Sequence, residues 1–500
     1  MEDLKGRTVR AGFAQIMAQA AGLLLRLVSI VILSRLLEPA DFGLVTMVTA
    51  VSGAYALFAT AGLSAATVQR TTVSDEQLST LFWINVAVGT ALGLLCAATA
   101  PVLVKFYHEE RLFWIAVVVA AGFPITGAGV QHYALLERQL KYGAISTIAI
   151  VSQAAGLLVA ISMAASGFGY WSLVTNAVVP PAVSTLSLWA ATRWLPGRPR
   201  RDSDIGSMLR FGGTITLNTL VAYLAYNSEK ILLGRSWGAD ALGLYGRAYQ
   251  LVNLPTAGLN DAIGAVAFSS LSRVRHDPAR YRSYFLKGYS LVISLTLPTT
   301  IFAAIWADDL VRLVLGPKWL DASIVFRLLA PTIFIFGLIN PLGWLMTSSG
   351  LQVRSLTIAL VIAPLVISAY VIGLPFGPTG VATSFSVAMT IWLVPHMLWC
   401  VHGTVISMRD LLAAISRPLV SGIVAAGFTS LTYFALHDQL VPLLRLIIGG
   451  SVMVASYGLV LLFAMRQWTF YIGLLSEITG RPVSIGQRRA DSARHRPILS

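Results

Sequence analysis

Apolar runs of about 20 residues succeed one another along the whole 500-residue chain, and each is long enough to cross the ~30 Å hydrocarbon core of a bilayer. Short polar segments, many holding Gly or Pro, separate them. The pattern predicts helices at 12–37, 42–61, 79–104, 113–136, 143–166 and 170–194, then at 211–234, 242–270, 284–314, 322–348, 354–376 and 379–402, with a last pair at 412–436 and 443–466. A β-barrel would show short segments of alternating hydrophobicity instead. The fold class is therefore all-α, a polytopic membrane protein with about 14 transmembrane helices. The stretch 242–270 is the least apolar and holds Arg247, Asn253, Pro255, Asn260 and Asp261.

Polar residues inside the runs are not scattered. On 12–37, Gln15, Gln19, Gly22, Arg26 and Ser29 follow a 4, 3, 4, 3 spacing, which at ~100° per residue keeps them on one narrow face. Helix 211–234 repeats the device with Thr214, Asn218, Ala222, Ala225 and Glu229, next to Lys230. Helix 242–270 adds Arg247, Gln250, Asn253 and Asn260, with Asp261 beside them. A charge near mid-span costs about 2.5–3.5 kcal/mol on insertion scales, so such a face must look at protein or water rather than lipid. These positions form the candidate lining of a hydrated central cavity. A guanidinium suits phosphate there, because its planar fork makes paired hydrogen bonds and keeps its charge. Each residue also has a plainer reading. Arg26 fits a structural ion pair, Glu229, Lys230 and Arg247 fit the outer interface, and the amides fit hydrogen bonds between helices.

Charge refines the topology. Lys and Arg exceed Asp and Glu by 36 to 22, a net +14, yet only 12% of residues are charged and mean hydropathy is +0.74. The basic residues sit mainly in alternate connections, among them Arg70, Arg138, Lys141, Arg198, Arg200, Arg201, Arg273, Arg275, Arg354, Arg409 and Arg481. By the positive-inside rule those connections and both termini are cytoplasmic. No basic patch is interleaved with stacking aromatics, so nucleic acid is not an expected partner. Lys5, Arg7 and Arg10 before an apolar run resemble a signal peptide, but the run is too long and Arg26 interrupts it; it reads as a retained first span. Cys96 and Cys400 lie inside apolar runs and suggest neither a disulfide framework nor a metal site.

The chain contains a repeat. Arg35-Leu-Leu-Glu-Pro-Ala-Asp-Phe-Gly-Leu44 aligns without gaps on Arg235-Ser-Trp-Gly-Ala-Asp-Ala-Leu-Gly-Leu244, each following an apolar span. Ser166-Gly-Phe-Gly-Tyr-Trp-Ser-Leu173 and Pro375-Phe-Gly-Pro-Thr-Gly-Val-Ala382 mark the last turn of each half. Two parallel six-helix lobes follow, related by a pseudo-two-fold axis along the membrane normal, around the central cavity. The expected organisation is a first lobe at 1–194, a cytoplasmic linker at 195–210, a second lobe at 211–402, an extra helix pair at 403–466 and a basic cytoplasmic tail at 467–500. The sequence shows no P-loop, no HExxH, no clustered acids and no nucleophile with a base, which disfavours an ATP-driven pump or an intramembrane enzyme.

The words of the chain resemble a known family. Ile32-Leu-Ser-Arg-Leu-Leu-Glu-Pro-Ala-Asp-Phe-Gly-Leu44, Gly62-Leu-Ser-Ala-Ala66, Gln69-Arg70 and Leu81-Phe-Trp-Ile-Asn85 are similar to the first half of the polysaccharide transporters, the Wzx-type oligosaccharide flippases of the multidrug/oligosaccharidyl-lipid/polysaccharide (MOP) superfamily. Ile231-Leu-Leu-Gly-Arg235, Leu242-Gly-Leu-Tyr-Gly-Arg-Ala248, Leu254-Pro255, Leu271-Ser-Arg-Val-Arg-His-Asp277 and Leu315-Gly-Pro-Lys-Trp319 match its second half. The match is nearest to the colanic-acid and exopolysaccharide exporters and runs from about 30 to 400. Glu229, where such proteins often carry Asp, and Ser269, where Pro is common, depart from it. The resemblance implies residence in the bacterial inner membrane, alternating access of two lobes, and undecaprenyl-diphosphate-linked oligosaccharide as cargo. It implies no cofactor, with coupling to Na+ or H+ left open, and a polysaccharide polymerase and export machinery as partners beside the bilayer itself. A cation-coupled drug antiporter and a non-transporting scaffold for a polysaccharide synthase are the competing expectations. The antiporter needs acids within 12–37, 42–61 or 143–166, and these helices have none.

Overall fold

The computed structural model describes residues 2–59, 74–199, 206–436 and 439–479. Among them every regular element is a helix. In chain order these are α1 (Glu2–Leu36), α2 (Pro39–Ala59), α3 (Asp75–Tyr107), α4 (Leu112–Arg138), α5 (Tyr142–Ala165), α6 (Trp171–Val174), α7 (Val179–Thr192), α8 (Gly206–Arg273), α9 (Pro278–Ile305), α10 (Ala307–Val314), α11 (Asp321–Leu329), α12 (Pro331–Ser348), α13 (Gln352–Gly373), α14 (Gly377–Val401), α15 (Met408–Leu436), α16 (Pro442–Leu459) and α17 (Trp468–Thr479). Among the described residues, 11 stretches are long and apolar enough to cross a membrane; one of them, Gln352–Val401, contains both α13 and α14. Large apolar side chains such as Leu24, Trp114, Leu186, Ile372 and Phe434 lie exposed on the outside of the bundle, as lipid-facing residues must. Arg70, Arg200, Arg201 and Arg481 of the charge pattern lie outside the described residues.

Helix packing groups the chain in sequence order. α3 packs on α4, α4 and α5 on α7, and α1 on α5; α9 packs on α12 and α15, α13 on α14, and α15 on α16. The two sets meet through α2 and α8. Small residues permit the closest approaches, as helix pairs in a bilayer require: Gly89 and Gly127 each meet backbone across the α3–α4 contact.

The structure departs from the expected helices in informative places. The helices predicted at 211–234 and 242–270 are two helices that meet within α8 at a kink, where Gly238 is non-helical (φ 80°, ψ −173°), so the expected connection shrinks to a single residue. Helical propensity persists on both sides, and one glycine supplies the reversal. That conformation is open only to glycine and costs another residue about 1–3 kcal/mol. Nothing lies within 4 Å of where a Gly238 Cβ would stand, so the penalty is conformational alone: Gly238→Ala is expected to lower the thermal unfolding temperature of the detergent-solubilised protein without blocking membrane insertion.

The span predicted at 284–314 ends at Ile305, because Trp306 starts the short amphipathic α10 with Asp308, Asp309 and Arg312. That predicted at 322–348 is parted between α11 and α12 just ahead of Pro331, and the basic tail from 467 begins with α17. The span at 170–194 is interrupted: α6 gives way to a 3-10 turn, Thr175–Ala177, and α7 begins one residue before Pro180-Pro181. Neither proline has an amide hydrogen to extend the preceding turn. By contrast Pro298, Pro341 and Pro364 sit inside continuous helices.

At the bundle end away from the N-terminus, the two copies of the repeated motif touch each other. A methyl group at Gly43 would fall on the carbonyl of Ala239, and one at Gly243 on the carbonyl of Pro39. Positions 39 and 239, and 43 and 243, are equivalent in the repeat, so the contact is reciprocal, as across a two-fold axis.

Candidate functional site: a basic cavity between the two helix sets

The polar face of α1 faces a cavity of about 730 Å³. Gln19, Gly22, Arg26 and Ser29 line it from α1, Gln153 and Leu157 from α5, Asn176 from the broken turn, and Gln250, Leu254 and Gly258 from α8. A second cavity of about 410 Å³ shares Asn176 and Gln250 with the first and continues toward the reciprocal motif contact. Phe42, Thr46 and Thr49 of α2 line it, with Lys230, Gly243 and Arg247 of α8. The two volumes adjoin between the helix sets through Asn176 and Gln250, and together they are termed the passage. Among the described residues, Arg26, Lys230 and Arg247 supply its cations, and no Asp or Glu lines either volume.

The cations are held differently. Arg26 is exposed into the larger volume. Lys230 donates from Nζ to Oδ1 of Asn227 at 2.5 Å. Arg247 is 9% exposed, donates to Oε1 of Gln250, and places its guanidinium carbon 3.7 Å from the ring centroid of Phe42. Its Nε has no hydrogen-bond partner among the described residues. A buried guanidinium satisfied by one amide and one ring face keeps donors free for an anion. The interruption at Thr175–Ala177 brings Asn176 to the passage wall, since non-helical backbone is tolerated at membrane depth where it lines a cavity.

The other predicted positions lie elsewhere. Glu229 does not line the passage. It is fully buried on α8, with neither carboxylate oxygen hydrogen-bonded among the described residues. Tyr245, Tyr249 and Tyr370 lie within electrostatic reach of it, and the Tyr245 and Tyr370 hydroxyls also lack partners among the described residues. Neighbouring residues on a helix point about 100° apart, so Lys230 reaches the passage while Glu229 turns into the second helix set. Ala225, from the same predicted stripe, is likewise buried. Asn253 is half-buried and lines neither volume. The side chains of Gln15, Asn218, Asn260 and Asp261 lie outside the described residues.

Gln153 and Asn176 escaped the sequence reading. Gln153 is a lone amide in an apolar span, and Asn176 reaches the wall only because the helix breaks. Pro180-Pro181 was the available signal.

A family model described as polysaccharide biosynthesis protein matches residues 32–324. The teichuronic acid biosynthesis protein TuaB of Bacillus subtilis is 30% identical over 294 residues, 58% of this chain and 60% of that protein. The lipopolysaccharide biosynthesis protein WzxC of Escherichia coli is 26% identical over 328 residues, 64% of this chain and 66% of that protein. The aligned region thus spans about two thirds or less of these relatives' length. Among solved structures, the lipid II flippase MurJ in an inward closed conformation superposes with TM-score 0.72 at 12% identity, covering 93% of this chain and all of that one. An inward-facing multidrug resistance MATE transporter of the MOP superfamily gives 0.59 at 15% identity, covering 79% and 95%. At such identities the likeness speaks for the fold alone.

Proposed function

The chain belongs to the polysaccharide biosynthesis protein family, and from that premise we propose that it moves an oligosaccharide linked to undecaprenyl diphosphate from the cytoplasmic to the periplasmic leaflet of a bacterial inner membrane. The observation that carries this reading is the passage between the helix sets, lined among the described residues by Arg26, Lys230, Arg247 and amides with no acid beside them. Arg26, in the larger volume, receives the diphosphate by paired charged hydrogen bonds. Gln19, Gln153, Asn176 and Gln250 offer the donors and acceptors that sugar hydroxyls need. The lipid chain stays in the bilayer. Fourteen crossings, the number of helices predicted from sequence, give both termini to the cytoplasm, and the basic connections fit that orientation. The two lobes, 1–194 and 211–402, then rock about the passage. Loss of the protein should leave lipid-linked oligosaccharide confined to the cytoplasmic leaflet, inaccessible to a membrane-impermeant glycosidase added outside spheroplasts. Unchanged external access in the deletion strain would sink the reading.

Glu229 is the coupling group in this scheme. A fully buried carboxylate with neither oxygen in a hydrogen bond among the described residues is costly to keep charged, so its charge is neutralised by a bound proton or Na+ at one stage of the cycle. Glu229→Gln should remove the response of transport to an imposed proton or Na+ gradient in proteoliposomes while retaining slow downhill movement. A variant that still follows the gradient would exclude Glu229 from coupling. The antiporter alternative lacks the acids it requires within 12–37, 42–61 and 143–166, and its discriminating result is drug sensitivity of the deletion strain with polymer intact.

A further inference from the structure

Phe42 touches both the passage and the closed end of the bundle. Its ring meets Trp319 edge to face, with centroids 5.3 Å apart, and carries the Arg247 guanidinium on its face. Trp319 belongs to the closure at the bundle end. It is fully buried, and its indole donates to the carbonyl of Ser34 at 2.7 Å. Beside it Arg35 donates to the carbonyl of Leu313 at 2.7 Å, and Lys318 pairs with Glu38. Under this layer lies the reciprocal contact of Gly43 with Ala239 and Gly243 with Pro39. The passage therefore ends at a seal in which residues 34–43 grip residues 239–243 and 313–319. Arg247 is at once a passage cation and the cation on the seal's aromatic ring.

We infer that Phe42 reports occupancy of the passage to the seal. With the passage empty, Arg247 rests on Phe42, and the cation holds the ring against Trp319. An anion competes for the guanidinium, because charge-assisted paired hydrogen bonds outweigh a cation–π contact. Arg247 leaves the ring face, Phe42 is released from one side, and the edge contact with Trp319 no longer fixes 34–43 on 313–319. Opening is then favoured by cargo rather than by the empty protein, since a ligand shifts such an equilibrium only through contacts that differ between its states. The coupling rests on the proposed function in one respect, that the cargo is anionic.

The test uses the full chain in lipid nanodiscs, spin-labelled through Glu110→Cys and Asp321→Cys. Both positions are exposed and neither belongs to the seal, while Cys96 and Cys400 are buried. Inorganic pyrophosphate is the probe, with binding read by calorimetry and the label distance by pulsed dipolar spectroscopy. Pyrophosphate is expected to bind and to lengthen the 110–321 distance by roughly 5 Å, the scale of a one-turn helix shift. Trp319→Leu should bind it with affinity within about threefold of wild type, as Trp319 lies off the passage, but show the long distance already without it. Phe42→Leu, which removes the aromatic face, should show one distance with and without the probe, while Phe42→Tyr should keep the response. Binding with no change of distance in the wild type, or a wild-type response in Trp319→Leu or Phe42→Leu, would overturn the coupling and leave the anion site standing. Absence of binding in the wild type would remove the anionic-cargo reading and the coupling with it.

Discussion

Arg26→Ala is expected to reduce polymer export at least tenfold at unchanged protein abundance, and Arg26→Glu to abolish it. Arg26 projects into the larger part of the passage at the middle of the stretch Gln19–Leu36, and among the described residues no acid lines that volume. A charge-assisted hydrogen bond to a phosphate contributes about 1.5–3 kcal/mol, which corresponds to ten- to a hundredfold in rate when the contact is made during translocation. Lysine at the same position keeps the charge but loses the planar fork, so Arg26→Lys should fall between wild type and alanine. Quantifying surface polymer against membrane content of each variant checks the series.

The second large effect concerns stability. Arg445 of α16 pairs with Asp309 of α10 at 2.6 Å, with side chains 9% and 5% exposed. Removing one member of a buried ion pair leaves the other charge stranded and costs about 3–5 kcal/mol. Arg445→Ala should therefore lower the thermal unfolding temperature in detergent far more than a substitution at exposed Leu443. Replacing both charges by leucine should recover most of the loss, since a buried pair exchanged for packed apolar residues is close to neutral. The pair, with Gly449 packed on the Trp306 ring, ties the C-terminal helices to the preceding ones. A wild-type melting curve for Arg445→Ala would exclude that role.

The sequence made the polar face of α1 legible because a period of 3.6 residues is a strong signal in an apolar background, and Gln19, Gly22, Arg26 and Ser29 do share one wall. The same reasoning misplaced Glu229. Periodicity assigns residues to a common face but not the direction that face takes in the bundle, and here the face turns toward Tyr245 and Tyr370. The repeat was visible as spaced identities, yet its physical meaning, two glycines each against the other copy's carbonyl, needed coordinates. Gly238 falls in the connection predicted between 234 and 242, and the structure narrows that connection to the kink at Gly238. Phe42 and Trp319 stand in the sequence only as members of the motifs 32–44 and 315–319; their mutual geometry shows what they hold together. The partnership of Arg445 and Asp309 is likewise a contact between helices distant in sequence, which no local pattern announces.

One measurement bears most directly on the basic passage as the route of a lipid-linked oligosaccharide. Purified protein is reconstituted into liposomes carrying undecaprenyl-diphosphate-linked oligosaccharide, and the fraction exposed to an external glycosidase is followed with time. Wild-type protein should expose substrate that protein-free liposomes keep hidden in the inner leaflet, and Arg26→Glu protein, inserted to the same extent, should behave like protein-free liposomes. Equal exposure by wild-type and Arg26→Glu protein would contradict the passage as the route.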